Sequence, residues 1–202
     1  MRPVNTVSIP VLKAPRVLAL CGSPHPDGCT ARLLDRALDL LPARCDITRV
    51  QAYPLAAAPC IDCGACKKEK RCALRDMDGF YETFEQADAL MIASPIYNGG
   101  FPAPLKAVLD RMQVYYNARF CRGERPPVAR PKRAALLLTC GSPDTGDAAA
   151  LDAVLRRMYT VLNTISCGYC CVDGTDRGFS LDGMDDTLRT LMDGLLVQNE
   201  ER

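Results

Sequence analysis

The stretch CIDCGACKKEKRC, residues 60–72, carries four thiols: Cys60, Cys63, Cys66 and Cys72. Thiolates bind zinc, hold iron–sulfur clusters, cycle through disulfides or switch with redox state, and spacing helps to separate these chemistries. Structural zinc usually draws on two cysteine pairs parted by a longer segment, whereas three ligands in one C-x2-C-x2-C run are typical of an iron–sulfur cluster. Here the run is C-x2-C-x2-C-x5-C. In two-cluster ferredoxins the last cysteine of such a run precedes a proline and serves the second cluster. Ala73 follows Cys72, and the sequence holds no second complete run. All four thiols can therefore close one [4Fe-4S] site; zinc is the alternative occupant, and unliganded thiols come last. Lys67, Lys68, Lys70, Arg71 and Arg75 crowd the same loop. They would offset the negative charge of a thiolate-bound cluster and suit an acidic protein partner, although solvated loops also carry lysines for neither reason.

Three other stretches end apolar runs in Ser-Pro: CGSPHPDGCT (21–30), ASPIYNGG (93–100) and TCGSPDTGD (139–147). In the first, Gly22, Ser23, Gly28 and Thr30 lead straight into a helical pattern, whose free N–H groups and positive dipole end attract an anion. The sequence matches neither the lysine-containing phosphate loop nor the G-x-G-x-x-G dinucleotide fingerprint, which leaves a flavin mononucleotide as the natural ligand. Its phosphate is expected on Ser23, His25, Gly28, Cys29 and Thr30. His25, the only histidine, reads equally as a solvated loop residue, and Cys29 as space filling. In the second stretch Pro95, Ile96, Tyr97, Asn98, Gly99 and Gly100 offer the ring an aromatic neighbour, an amide and close backbone approach. Ser142 and Asp144 are further candidates on the third. Taken singly, each loop is also an ordinary turn.

These loops need strands to hold them. Buried-strand runs occur at RVLALC (16–21), ALMIAS (89–94) and RAALLLTC (133–140), with weaker ones at DITRVQAY (46–53) and TISCGYCCV (164–172). Between them five stretches have helical apolar spacing: 30–41 with Thr30 near the N-cap, one near YETFEQA, one from about Pro104, one through Leu151–Leu162 and one through Leu188–Leu196. Strands alternating with helices predict an α/β fold with a parallel sheet covered on both faces. Ligands of such sheets sit at the carboxyl edge, so the three Ser-Pro loops should converge there. The cysteine loop leaves the second strand at that edge, which predicts cluster and flavin on one rim. Cys167, Cys170 and Cys171 resemble half of another metal motif, but on a strand they read better as packed small hydrophobes.

At 202 residues the chain predicts one domain over 16–202, with the cysteine loop at 55–76 and residues 1–15 as an extension that can cross to another subunit. A net charge of +1 provides no field for nucleic acid. The N-terminal residues read as neither an export signal nor a membrane span, so a cytoplasmic protein with its 12 cysteines as reduced thiols or metal ligands is expected.

Through GSPHPDGCTARLL and SPIYNGGFPAPLKAVLDR, the sequence resembles the flavodoxin-like NAD(P)H-dependent FMN reductase group over about residues 16–170. Two positions depart from the pattern: the family usually has arginine where His25 stands and asparagine where Cys29 stands. The cysteine spacing is similar to that of the iron–sulfur flavoprotein family within this group. The resemblance implies a flavodoxin-like doubly wound five-stranded sheet of order 2-1-3-4-5, with one FMN and one [4Fe-4S] cluster per subunit. It also implies electron exchange with ferredoxin and a homodimer or homotetramer in which cluster and flavin of different subunits approach. Roles in that family include reduction of oxygen or peroxide. The expected function is redox exchange between a protein donor and a small acceptor. An NAD(P)H-dependent FMN or quinone reductase without a cluster, or a redox sensor working through the loop, stands as the alternative.

Overall fold

In the computed structural model of the protein, residues 14–197 are described, so most of the expected N-terminal extension lies outside the described residues. Five strands form one parallel sheet in the order β2-β1-β3-β4-β5. They are β1 (Arg16–Cys21), β2 (Asp46–Gln51), β3 (Ala89–Pro95), β4 (Lys132–Thr139) and β5 (Thr164–Val172). The order reverses between β1 and β3, where a doubly wound sheet opens a crevice at its carboxyl edge.

The three apolar runs become the central strands because both of their faces are covered. Val17, Ala19, Met91, Ala93 and Leu137 point to one side, against Leu33, Leu34 and Leu38 of α1 (Cys29–Asp39) and Leu188 and Leu191 of α7 (Asp185–Leu196). Leu18, Leu20, Ile92, Leu136 and Leu138 point to the other. There they meet α2 (Ala52–Leu55), α3 (Asp78–Gln86), α4 (Ala103–Arg111), α5 (Gln113–Phe120) and α6 (Asp147–Val161). The weaker second run is the edge strand β2, whose first four residues are exposed.

Three local expectations change. The cap of α1 is Gly28, so Thr30 lies inside the first turn. The stretch after β3 is two helices, α4 and α5, broken at Met112, because Val114, Tyr115, Asn117 and Ala118 form a second buried face. In β5 the register shifts between Ala134 and Ala135, pairing Ser166 and then Gly168 and leaving Cys167 as the extra residue. Cys167 and Cys170 consequently pack toward α7, and Cys171 packs on the opposite face. Loss of solvent raises the thiol of Cys170 to about 11 and that of Cys171 to about 12, so both stay protonated at neutral pH.

Candidate functional site

The three Ser-Pro loops meet at the carboxyl edge. Gly22 N–H donates to the Ala93 carbonyl at 2.7 Å, tying the first loop to β3. Ile96 N–H donates to the Thr139 carbonyl at 2.8 Å, tying the second loop to β4. The Thr30 and Thr139 hydroxyls, both buried, bond each other at 2.7 Å and tie α1 to the third.

In the first loop the buried Ser23 hydroxyl accepts from His25 N–H at 3.1 Å, folding the loop toward the start of α1. A Cβ on Gly28 would stand 2.9 Å from that of His25, so the turn closes only around glycine. The first turn of α1 reads Cys29-Thr30-Ala31-Arg32, with the positive end of the helix dipole free of acidic side chains. His25 is exposed and Cys29 half-buried. The hydroxyl of Thr30, bonded to Thr139, lies at the start of the same helix.

In the second loop, Tyr97 and Gly100 exchange both backbone hydrogen bonds at 2.9 Å around Asn98 (φ 50°) and Gly99 (φ 72°). An Asn-Gly pair at positive φ is the residue choice for this tight turn. It presents Tyr97, 43% exposed, at the rim, with Pro95 and Ile96 half-buried behind it.

The third loop carries Ser142 and Asp144. Ser142 is exposed at the rim, but the Asp144 carboxylate accepts from the N–H groups of Gly146 and Ala148 at 3.2 Å. It caps α6, a sufficient structural reason for an acid there.

Gly22 shows how tightly this edge is built. A Cβ there would meet Leu105 Cδ2 at 2.6 Å and Leu105 Cβ at 3.0 Å, on a side chain fully buried in α4. Gly22→Ala is therefore expected to lower stability by about 1–3 kcal/mol through overpacking. It should also weaken flavin binding by moving the first loop, which urea unfolding and a flavin titration will read.

The cysteine loop goes elsewhere. Cys60, Cys63, Cys66 and Cys72 line one cavity, together with Arg111, Gln113 and Asn117. Arg111 ends α4, about 12 Å along the helix from its first residue at 1.5 Å per residue. Lys70 continues farther, to a groove shared with Arg16 at the start of β1 and with Arg130 and Pro131 just before β4. The expectation that cluster and flavin share one rim within a chain is therefore corrected. The segment between α2 and α3 is long enough to run down the helix layer instead of staying at the strand ends.

Side chains outside the loop hold it there. Arg111, 1% exposed, donates to the carbonyls of Ala58 at 2.9 Å and Leu74 at 2.8 Å and to the Asp76 carboxylate at 2.8 Å. Those residues flank the cysteine run on both sides. The hydrogen bond from Arg111 holds Asp76 below the usual carboxylate range. Arg122 donates to the carbonyls of Cys66 and Glu69, and Asn117 Nδ2 to Cys66 Sγ at 3.1 Å. Among the described residues no three His, Cys, Asp or Glu side chains group as the ligands of one ion. Sequence reasoning missed all three anchors, although Arg111, placed three residues after the buried Val108 on an apolar face, was a readable signal.

Comparison with known proteins gives this arrangement a family. The profile described as NADPH-dependent FMN reductase matches residues 15–172. The chain belongs to this family. Its members are flavin-dependent oxidoreductases, so the chain is a flavin redox protein, and the converging loops are where its FMN-binding residues were expected. An iron–sulfur flavoprotein of Methanosarcina thermophila is 28% identical over 146 residues, 71% of this chain and 73% of that protein. Another, from Methanocaldococcus jannaschii, is 34% identical over 98 residues, 48% of this chain and 51% of that protein. That match thus spans about half the relative's length. The NAD(P)H:quinone oxidoreductase of Methanothermobacter marburgensis has the same fold, with a TM-score of 0.69, 19% identity and coverage of 94% of this chain and 98% of that one. No helix among the described residues is long and apolar enough to cross a membrane.

Proposed function

We propose that the protein is an FMN- and [4Fe-4S]-containing redox flavoprotein exchanging electrons between a protein donor such as ferredoxin and a small acceptor. The observation that carries this reading is the single cavity lined by Cys60, Cys63, Cys66 and Cys72 and pinned from outside by Arg111, Asn117 and Arg122. Ligands of one zinc must converge within about 2.3 Å of a single point, whereas a four-iron cluster takes one thiolate at each iron and spreads its ligands around a cavity. FMN supplies conversion between two-electron and one-electron chemistry, and a cluster supplies single-electron exchange with a partner.

The chain's own residues bind and orient. Ser23, Gly28 and the first N–H groups of α1 form the anion seat, and the turn of Tyr97, Asn98, Gly99 and Gly100 lies ready to flank a ring. Ser142 stands at the third edge. Because the cavity lies down the helix layer from that edge, electrons would pass most directly between the flavin of one subunit and the cluster of another. This favours the homodimer or homotetramer. Lys67, Lys68 and Lys70 are exposed on the cysteine loop and suit an acidic ferredoxin. None of the 12 cysteines is paired in a disulfide, which suits a reducing cytoplasm.

The test is iron, sulfide and flavin per chain after anaerobic purification. The expected result is about four irons, four sulfides and one FMN. One flavin without iron, together with rapid reduction by NAD(P)H, would instead select a cluster-free FMN or quinone reductase.

A further inference from the structure

Among the residues around the cysteine cavity, Asn117 touches a ligand-type sulfur directly. It is 3% exposed in the middle of α5, and its Nδ2 donates to Cys66 Sγ at 3.1 Å. Its Oδ1 accepts from the thiol of Cys121, four residues on, at 3.5 Å. The partners of an amide decide which end is nitrogen. A thiol donor on the oxygen therefore leaves the NH2 group turned to Cys66. Beside it stands Arg111, lining the same cavity and 1% exposed. Its two terminal nitrogens hold the loop, while its Nε is buried and has no hydrogen-bond partner among the described residues. A buried N–H without an acceptor is unfavourable, and an anionic group in that cavity would relieve it.

We propose that Asn117, with Arg111 behind it, is a positioning residue that sets the reduction potential of the cluster. The inference rests on the reading of the cysteine loop as a cluster site and deepens it. A cluster held by four thiolates gains one negative charge on one-electron reduction. An N–H donor on a ligand sulfur and a guanidinium in a poorly solvated wall both favour the more negative state, so both raise the potential. Cys121 acts one step further out, by fixing which way the amide faces.

The variants are Asn117→Leu, which keeps the volume and removes the donor, and Asn117→Asp, which keeps the shape and places an acceptor against the sulfur. Iron per chain and the cluster midpoint potential are read by a redox titration followed by electron paramagnetic resonance. Wild type and N117L are expected to hold similar iron, with the N117L potential shifted negative and N117D shifted further in the same direction. Cys121→Ser, which keeps a donor to Oδ1, should stay close to wild type. A role in packing alone predicts the opposite order, with the closer isostere N117D less affected than N117L.

A readout free of the cluster is alkylation of Cys66 in the iron-free chain. In N117L its rate should fall by up to about tenfold relative to Cys60 and Cys63, because the reacting thiolate loses the stabilisation of one ordinary hydrogen bond. This also decides the matter if N117L fails to retain iron. Wild type with its full iron beside an N117L of unchanged potential would overturn this inference and leave the cluster reading standing. A wild type without iron would overturn the cluster reading and this inference with it.

Discussion

Arg111→Met is expected to cost about 3 kcal/mol of folding stability and to release both ends of the cysteine loop. The substitution keeps the apolar stem within α4 but removes every donor. It leaves the carbonyls of Ala58 and Leu74 without their guanidinium partner and Asp76 without its counter-ion. Breaking a buried ion pair from one side costs about 3–5 kcal/mol, and the lower figure applies because Asp76 keeps about a third of its side-chain surface in water. Urea unfolding should show a lower midpoint at an unchanged slope, and amide exchange should rise at residues 58–76 while the sheet stays protected.

The acid limb supplies an independent check. Asp76 has a folded pKa below its unfolded value, chiefly through the Arg111 hydrogen bond. Its contribution is therefore fully present above the unfolded carboxylate value of about 3.9 and is lost as pH falls through the lower folded value. The stability gap between wild type and R111M should accordingly narrow below about pH 4. A constant gap down to acid unfolding would show that the clasp is not ionic.

How much of this was legible in the sequence depends on whether the signal was local. Leu18, Leu20, Ile92, Leu136 and Leu138 lie in runs that only a doubly covered strand explains, and the sheet follows from them. The Ser-Pro loops announced the carboxyl edge. What the sequence could not show was partnership at long range. The bond between the hydroxyls of Thr30 and Thr139 joins residues 109 positions apart.

The cysteine loop combines both situations. Its spacing was readable because the ligands lie close in sequence. Its destination was not, because Arg111, Asn117 and Arg122 reach it across 35 to 56 positions. Those contacts, not the end of β2, fix where the loop lies.

That destination makes the four thiols unequal. Cys60 and Cys63 are exposed, whereas Cys72 is 9% exposed and packs into the core with Met77 and Phe80. Cys63→Ala and Cys72→Ala should both abolish stable retention of a full cluster, since each removes one of four ligands. Their effects on the iron-free chain should part. C63A is expected to stay within about 0.5 kcal/mol of wild type, as exposed substitutions do. C72A should lose about 1 kcal/mol, because it leaves a small void in the core. Both should keep their flavin, since the anion seat at α1 and the Tyr97 turn belong to the carboxyl edge and the cysteine cavity does not. Iron, flavin and urea midpoints measured on the same preparations test all three points. Loss of flavin together with iron in C63A would mean that the two sites depend on each other, in one chain or across a subunit contact that the cluster loop helps to build.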